Sequence, residues 1–185
     1  MTDAATPEGP PPLPPVVAIL GNKKSGKTTV AVGLIRELVA RGHRVMSVKH
    51  GHHFRLDHEG TDSWRHRHEG GAERVVLAGP DEVAVLGSWT GGEPPSLREM
   101  VRRHLSDAEI VVAEGFRQES VHCIEVFRST QHDAPIAPPE AVDPKRQLAV
   151  VTDRVDLGWP VPALDADMPD LAARLADLIV DRLLG

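Results

Sequence analysis

The sequence predicts an α/β fold with a strand–helix–strand opening and a small β-hairpin. Three observations predict it. The apolar run Val16-Val17-Ala18-Ile19-Leu20, bounded by Pro15 and Gly21, is followed by an amphipathic helical stretch and a second strand, the pattern of a βαβ-type unit. Two short apolar runs flank Gly79-Pro80-Asp81, a hairpin signature. Further strand-like runs follow, and the chain closes on a helical stripe.

The elements read in order as follows. Residues 1–15 hold six prolines and little to bury, so they form a disordered Pro-rich tail ahead of a single domain over 16–185. After the strand at 16–20, a helix runs from Lys27 to Arg41. Its residues Val30, Ala31, Leu34, Ile35, Leu38 and Val39 recur at helical spacing, and Gly42 sits at the C-terminal cap. Arg44–Lys49 is a strand. Residues 62–69 form a short polar helix capped by Thr61 or Asp62. Glu73–Ala78 and Glu82–Gly87 make the hairpin, and Ser96–Leu105 is a helix. Glu109–Ala113 is a buried strand ending at Glu114-Gly115. His122–Phe127 alternates in polarity, which predicts one solvent-facing side. Residues 129–146, with four prolines, form a long loop, and Gln147–Thr152 is another strand. The last helix runs from Pro169, a good first-turn residue, to Leu184.

Composition narrows the function classes. The net charge of −6 argues against nucleic acid or an anionic membrane as the main partner. Residues 41–74 nevertheless hold seven Lys or Arg and seven of the ten His, a local positive region suited to a small anion. A single cysteine, Cys123, excludes an intrachain disulfide. The Pro-rich start carries no Lys, Arg or apolar stretch, so it does not read as a signal peptide, and no apolar run reaches the roughly 18–20 residues of a bilayer span. A cytoplasmic protein is expected.

The most specific motif is Gly21-Asn22-Lys23-Lys24-Ser25-Gly26-Lys27-Thr28, a G-x-x-x-x-G-K-T P-loop followed by Thr29. Gly21 and Gly26 let the backbone turn its N–H groups inward around phosphate oxygens. Those groups open the next helix, whose dipole favours an anion. Lys27 supplies a point charge to the β- and γ-phosphates, and the Thr28 hydroxyl is a Mg²⁺ ligand. A carboxylate belongs near that metal. The strand Ile110-Val111-Val112-Ala113 leads into Glu114, where it could hold the ion or polarise an attacking water.

With the P-loop GNKKSGKTT, three further blocks carry a resemblance: VKHGHHFRLDHEGTDSWRHRHEGGA (48–72), VVAEGFRQE (111–119) and HCIEVFR (122–128). Over nearly all of 16–155 the chain resembles the molybdopterin-guanine dinucleotide biosynthesis adaptor proteins, the MobB family. The resemblance implies a P-loop NTPase three-layer fold, with a mainly parallel central sheet and flanking helices. It also implies GTP binding with slow hydrolysis, a homodimer, and a supporting role beside the nucleotidyltransferase that joins GMP to molybdopterin. One departure stands out. Family P-loops usually carry small residues where this chain has Asn22-Lys23-Lys24, so its loop tip is unusually cationic.

Other residues complete the candidate list. Asp153 follows Val150-Val151-Thr152, where P-loop GTPases place the carboxylate that reads guanine; only Thr-Asp stands here, without a full Asn-Lys-x-Asp. The His cluster, including His50, His52 and His53, suits anion contacts, with metal binding or a solvated polar surface as the alternatives. Lys49, His50, His52, His53 and Arg65 are expected to bind the phosphate of a second ligand, molybdopterin or its guanine dinucleotide, because ligands collect at strand C-termini. Two other function classes fit the residues: a P-loop small-molecule kinase with Arg65-His66-Arg67 as acceptor clamp, and a nucleotide-binding interaction module without useful turnover.

Overall fold

The computed structural model describes residues 12–51, 56–89 and 93–185. They group into two compact units, residues up to His50 with 97–185, and residues 51–96.

The first unit is built on six parallel strands. They are β1 (Val16–Leu20), β2 (Val45–Lys49), β5 (Ile110–Glu114), β6 (His122–Phe127), β7 (Gln147–Thr152) and β8 (Ala163–Asp165), in the order β2-β5-β1-β6-β7-β8. Helices α1 (Lys27–Ala40), α3 (Leu97–His104) and α4 (Leu171–Ile179) flank the sheet. Side chains alternate along β1. Val17 and Ile19 join the core shared with Leu34 and Leu38 of α1 and Leu175 and Ile179 of α4. Ala18 and Leu20 join Leu97 and Val101 of α3 on the other face. A strand covered on both faces needs apolar residues at every position, which is why β1 and β5 are continuous apolar runs. Parallel pairing also brings the ends of β1, β2, β5, β6, β7 and β8 to one edge of the sheet, and every candidate residue of this unit lies there.

Several boundaries differ from expectation, each for a physical reason. Pro14 is buried and the Pro15 carbonyl accepts the Val111 N–H at 3.0 Å, so the last residues of the Pro-rich stretch already belong to the sheet. β6 is buried along almost its whole length rather than showing one solvent face. It lies between β1 and β7, and its Glu125 carboxylate is covered by the N–H groups of Ile136 and Ala137. The last helix begins at Leu171 instead of Pro169 and passes into a π-helical turn over Val180–Leu184. α1 stops as its sequence dictates: Gly42 takes φ +93°, and the N–H groups of Gly42 and His43 bond back to Val39 and Leu38.

The second unit holds α2 (Asp62–His68) and the antiparallel hairpin of β3 (Arg74–Ala78) and β4 (Val83–Gly87). Thr61 caps α2 by accepting the Trp64 N–H. Among the described residues no helix is long and apolar enough to cross a membrane.

Candidate functional site

The loop between β1 and α1 is shaped by two glycines and one strained lysine. Gly21 takes φ +151°, and a Cβ there would lie 2.5 Å from the Val126 carbonyl oxygen, so only glycine fits. Gly26 (φ +98°) and Lys24 (φ +67°) turn the chain into α1. That helix has no side-chain cap at its N-terminus and no acidic residue in its first turn. Its first N–H groups therefore face the loop with no intrahelical acceptor, an arrangement suited to an anion. A loop from the far end of β6 braces the tip. His132 Nε2 lies 2.7 Å from the Lys23 carbonyl, and the Asn22 side-chain amide donates to the Ala134 carbonyl at 3.4 Å.

Four charged or polar groups from three elements meet beside this loop. Thr28 Oγ1, in the first turn of α1, donates to the Glu114 carboxylate, 2.9 Å from Oε1 and 3.0 Å from Oε2. Lys49 Nζ, from the end of β2, lies 3.0 Å from Glu114 Oε1 and 3.4 Å from Thr28 Oγ1. Lys27 Nζ donates to the Asn22 carbonyl at 2.6 Å. Burial lowers the Lys27 pKa; the Glu114 charge works against that and Lys49 works with it. The Glu114 side chain is only 15% exposed. The His50 N–H donates to the Glu114 carbonyl at 2.9 Å, and its ring meets Phe116 edge-on at 5.4 Å. Gly115 and Phe116 both take positive φ (+94° and +61°), a tight turn after β5 that the sequence reading did not single out.

The donor set fits a hard divalent cation: a hydroxyl and a carboxylate, all oxygen, already within 3.0 Å of each other. The loop fits phosphate, through its backbone and Lys27. Next to it, a cavity of about 250 Å³ is lined by Gly26, Thr29, Val30, Val126, Arg128 and Ala166, with Leu171, Ala172 and Leu175 of α4 behind them. Arg128 is held by a bidentate pair to Asp167, both bonds 2.9 Å. Neither residue was singled out from the sequence. Arg128 closes the HCIEVFR block, which was a usable signal; Asp167 had none.

The expected residues divide. Gly21 to Thr29, Lys49, His50 and Glu114 are brought together. Asp153 directly follows β7 but is absent from the cavity lining, and its carboxylate accepts the Ser129 N–H at 2.8 Å and the Ser129 hydroxyl at 3.1 Å. Burial works to raise its pKa, yet those bonds prevail and hold it below the ordinary aspartate value. Arg65 belongs to the second unit, where it pairs with Glu69 at 2.9 Å. His68 there stacks on Trp64 with centroids 4.5 Å apart, and Asp57 accepts from Thr61 and Ser63. His52 and His53 lie outside the described residues. Among the described residues no three His, Cys, Asp or Glu side chains converge as a metal site.

Known proteins resemble this chain in sequence and in fold. Residues 16–153 match the family model described as molybdopterin guanine dinucleotide synthesis protein B. A molybdopterin-guanine dinucleotide biosynthesis adapter protein of Escherichia coli (strain K12) is 32% identical over 169 residues, 90% of this chain and 92% of that protein. Its counterpart from Haemophilus influenzae is 40% identical over 118 residues, 62% of this chain and 64% of that protein, just under two thirds of its length. A crystal structure of a molybdopterin-guanine biosynthesis protein B superposes with TM-score 0.66 at 29% identity, covering 92% of this chain and 99% of the other. The Bacillus subtilis MobB structure, at 17% identity, gives the same TM-score over 91% and 98% and shares the fold.

Proposed function

This chain belongs to the molybdopterin guanine dinucleotide synthesis protein B (MobB) family, and from that premise we propose that it is a GTP-binding adapter in molybdopterin guanine dinucleotide biosynthesis. The observation that carries the nucleotide part is the convergence of Lys27, Thr28 and Glu114 at the uncapped N-terminus of α1. Gly21 to Thr29 wrap the phosphates, with backbone N–H groups and Lys27 facing the β- and γ-oxygens. Thr28 and Glu114 hold Mg²⁺, which when bound neutralises charge on those phosphates. Glu114 is placed to orient a water toward the terminal phosphate, the role that a slow GTPase needs from it. The nucleoside enters the cavity between α1 and α4, and Arg128 at its wall feels the charge of Asp153, toward which the base is directed.

Guanine is read at the end of β7. Asp153 is held ionised by Ser129, and guanine offers N1–H and N2–H₂ to a carboxylate, which adenine cannot. Asp153→Asn should narrow the preference for GTP over ATP about tenfold while leaving inorganic triphosphate binding unchanged, as read by titration calorimetry. Equal preference in parent and variant would move base recognition elsewhere.

The partners follow from the adapter role. The chain acts beside the nucleotidyltransferase that attaches GMP to molybdopterin, and Lys49 and His50, at the end of β2, take the phosphate of molybdopterin or its guanine dinucleotide. A homodimer is supported by the hairpin, where Val76 (59%), Val83 (72%) and Val85 (48%) are exposed on one face. Sedimentation of the parent and of Val83→Lys tests it: a parent that runs as a monomer defeats the dimer.

A further inference from the structure

The lone pairs around Glu114 are shared with an unexpected group. Glu114 Oε1 receives both the Thr28 hydroxyl, at 2.9 Å, and the Lys49 ammonium, at 3.0 Å. Thr28 Oγ1 donates its proton to Glu114 and lies 3.4 Å from the same ammonium. A carboxylate oxygen has about two acceptor positions. Oε1 thus carries the ammonium and shares the Thr28 proton with Oε2, which lies 3.0 Å from the hydroxyl, and the free side of the Thr28 oxygen is turned to Lys49. These two oxygens are the ones that would ligate a divalent ion. Such an ion sits roughly 2.0–2.1 Å from its ligands, so it and an ammonium on the same oxygen would be pressed together as like charges.

We propose that Lys49 is a displaceable internal counter-ion of the cation site: its ammonium and a divalent cation compete for Glu114 Oε1 and Thr28 Oγ1. The proposal rests on the nucleotide reading above and adds a regulation to it. While Lys49 holds Glu114, the carboxylate is compensated and a free divalent ion gains little by binding. A triphosphate changes the balance, because its oxygens accept the released ammonium and ligate the ion together. Lys49 is the last residue of β2 and 61% exposed, so its four-carbon stem swings without disturbing the core. The protein then takes up cation and triphosphate as a pair, each raising the affinity for the other. Lys27, bonded to the Asn22 carbonyl, stays with the loop and is not part of the exchange.

Titration of the full-length protein with Mn²⁺ in the absence of nucleotide, followed by electron paramagnetic resonance, tests this directly. The parent should bind Mn²⁺ weakly, and Lys49→Met at least tenfold more tightly. Lys49→Arg keeps a positive charge and should stay close to the parent. The gain should vanish in Lys49→Met combined with Glu114→Gln, which locates the ion at that carboxylate. Unaltered Mn²⁺ affinity in Lys49→Met overturns the proposal, and so does a gain that survives Glu114→Gln. The nucleotide reading has its own readout: a parent that does not bind GTP with Mg²⁺ defeats it. A parent that binds GTP while Lys49→Met gains no Mn²⁺ affinity defeats only the counter-ion.

Discussion

The Lys27 ammonium is anchored to the phosphate loop through the Asn22 carbonyl, and its surroundings show why it is poised for an anion. It is partly buried, burial depresses its pKa, and its nearest acceptor is a neutral carbonyl, Asn22. A bound triphosphate supplies charge where the loop supplies only a dipole. Removing the group should therefore weaken nucleotide binding by at least tenfold, about 1.4 kcal/mol. Calorimetry on Lys27→Ala checks this, and parental affinity for GTP in that variant would end the phosphate-loop reading. At this scale the motif was legible because each position has a mechanical job that few other residues can do. Gly21 is the clearest case, since any side chain would meet the Val126 carbonyl. Arg128 and Asp167 were not legible as a pair. They lie 39 residues apart, and only the ending of β6 and β8 at one sheet edge makes them neighbours.

Among the elements, β6 carries the strongest lesson about burial. Its polar residues His122 and Glu125, set among apolar neighbours, read as a half-exposed strand, yet Glu125 is 2% exposed. The residues that bury it come from the loop beyond, whose Ile136 N–H donates at 2.5 Å and Ala137 N–H at 3.3 Å. Cover supplied by a distant loop leaves no trace in a strand's own pattern. β8, at three residues, is likewise too short to show periodicity, whereas β5 was readable because a central parallel strand is apolar throughout. Burial raises the Glu125 pKa above the ordinary 4.5, even though the two N–H donors pull the other way. The sign follows from proton binding: through that window the folded chain keeps a proton the unfolded chain has lost. Stability from this group is thus greatest below 4.5 and declines as pH rises through the folded value. Glu125→Gln cannot titrate. Urea unfolding at increasing pH above 4 should show the parent losing stability relative to the variant. Parallel profiles for the two proteins would mean that Glu125 does not titrate in this window.

The first unit as a whole is arranged so that one core supports both stability and the site. α1 starts at the phosphate loop, and α4 packs beside it on the same sheet face, with Leu175 fully buried between them. The order β2-β5-β1-β6-β7-β8 puts β1 at the centre, so the loop grows from a strand held on both sides. Such a scaffold has few ways to move without losing packing, which suits a site whose parts must lie within 3 Å of each other. Leu175 also lines the cavity assigned to the nucleoside, together with Gly26 and Thr29. Truncating it should therefore act twice. Leu175→Ala should lower unfolding free energy by about 2–5 kcal/mol through lost packing. It should also loosen the wall of the nucleoside cavity, so that a given GTP concentration protects the variant less. In the parent, ligand at a hundred times Kd should add about 2.7 kcal/mol by mass action. The variant at the same concentration should gain visibly less, because its Kd has risen. Urea unfolding of both proteins, with and without GTP and Mg²⁺, measures the two effects separately. A large loss of stability with an undiminished GTP increment would leave Leu175 in the core and place the nucleoside outside this cavity.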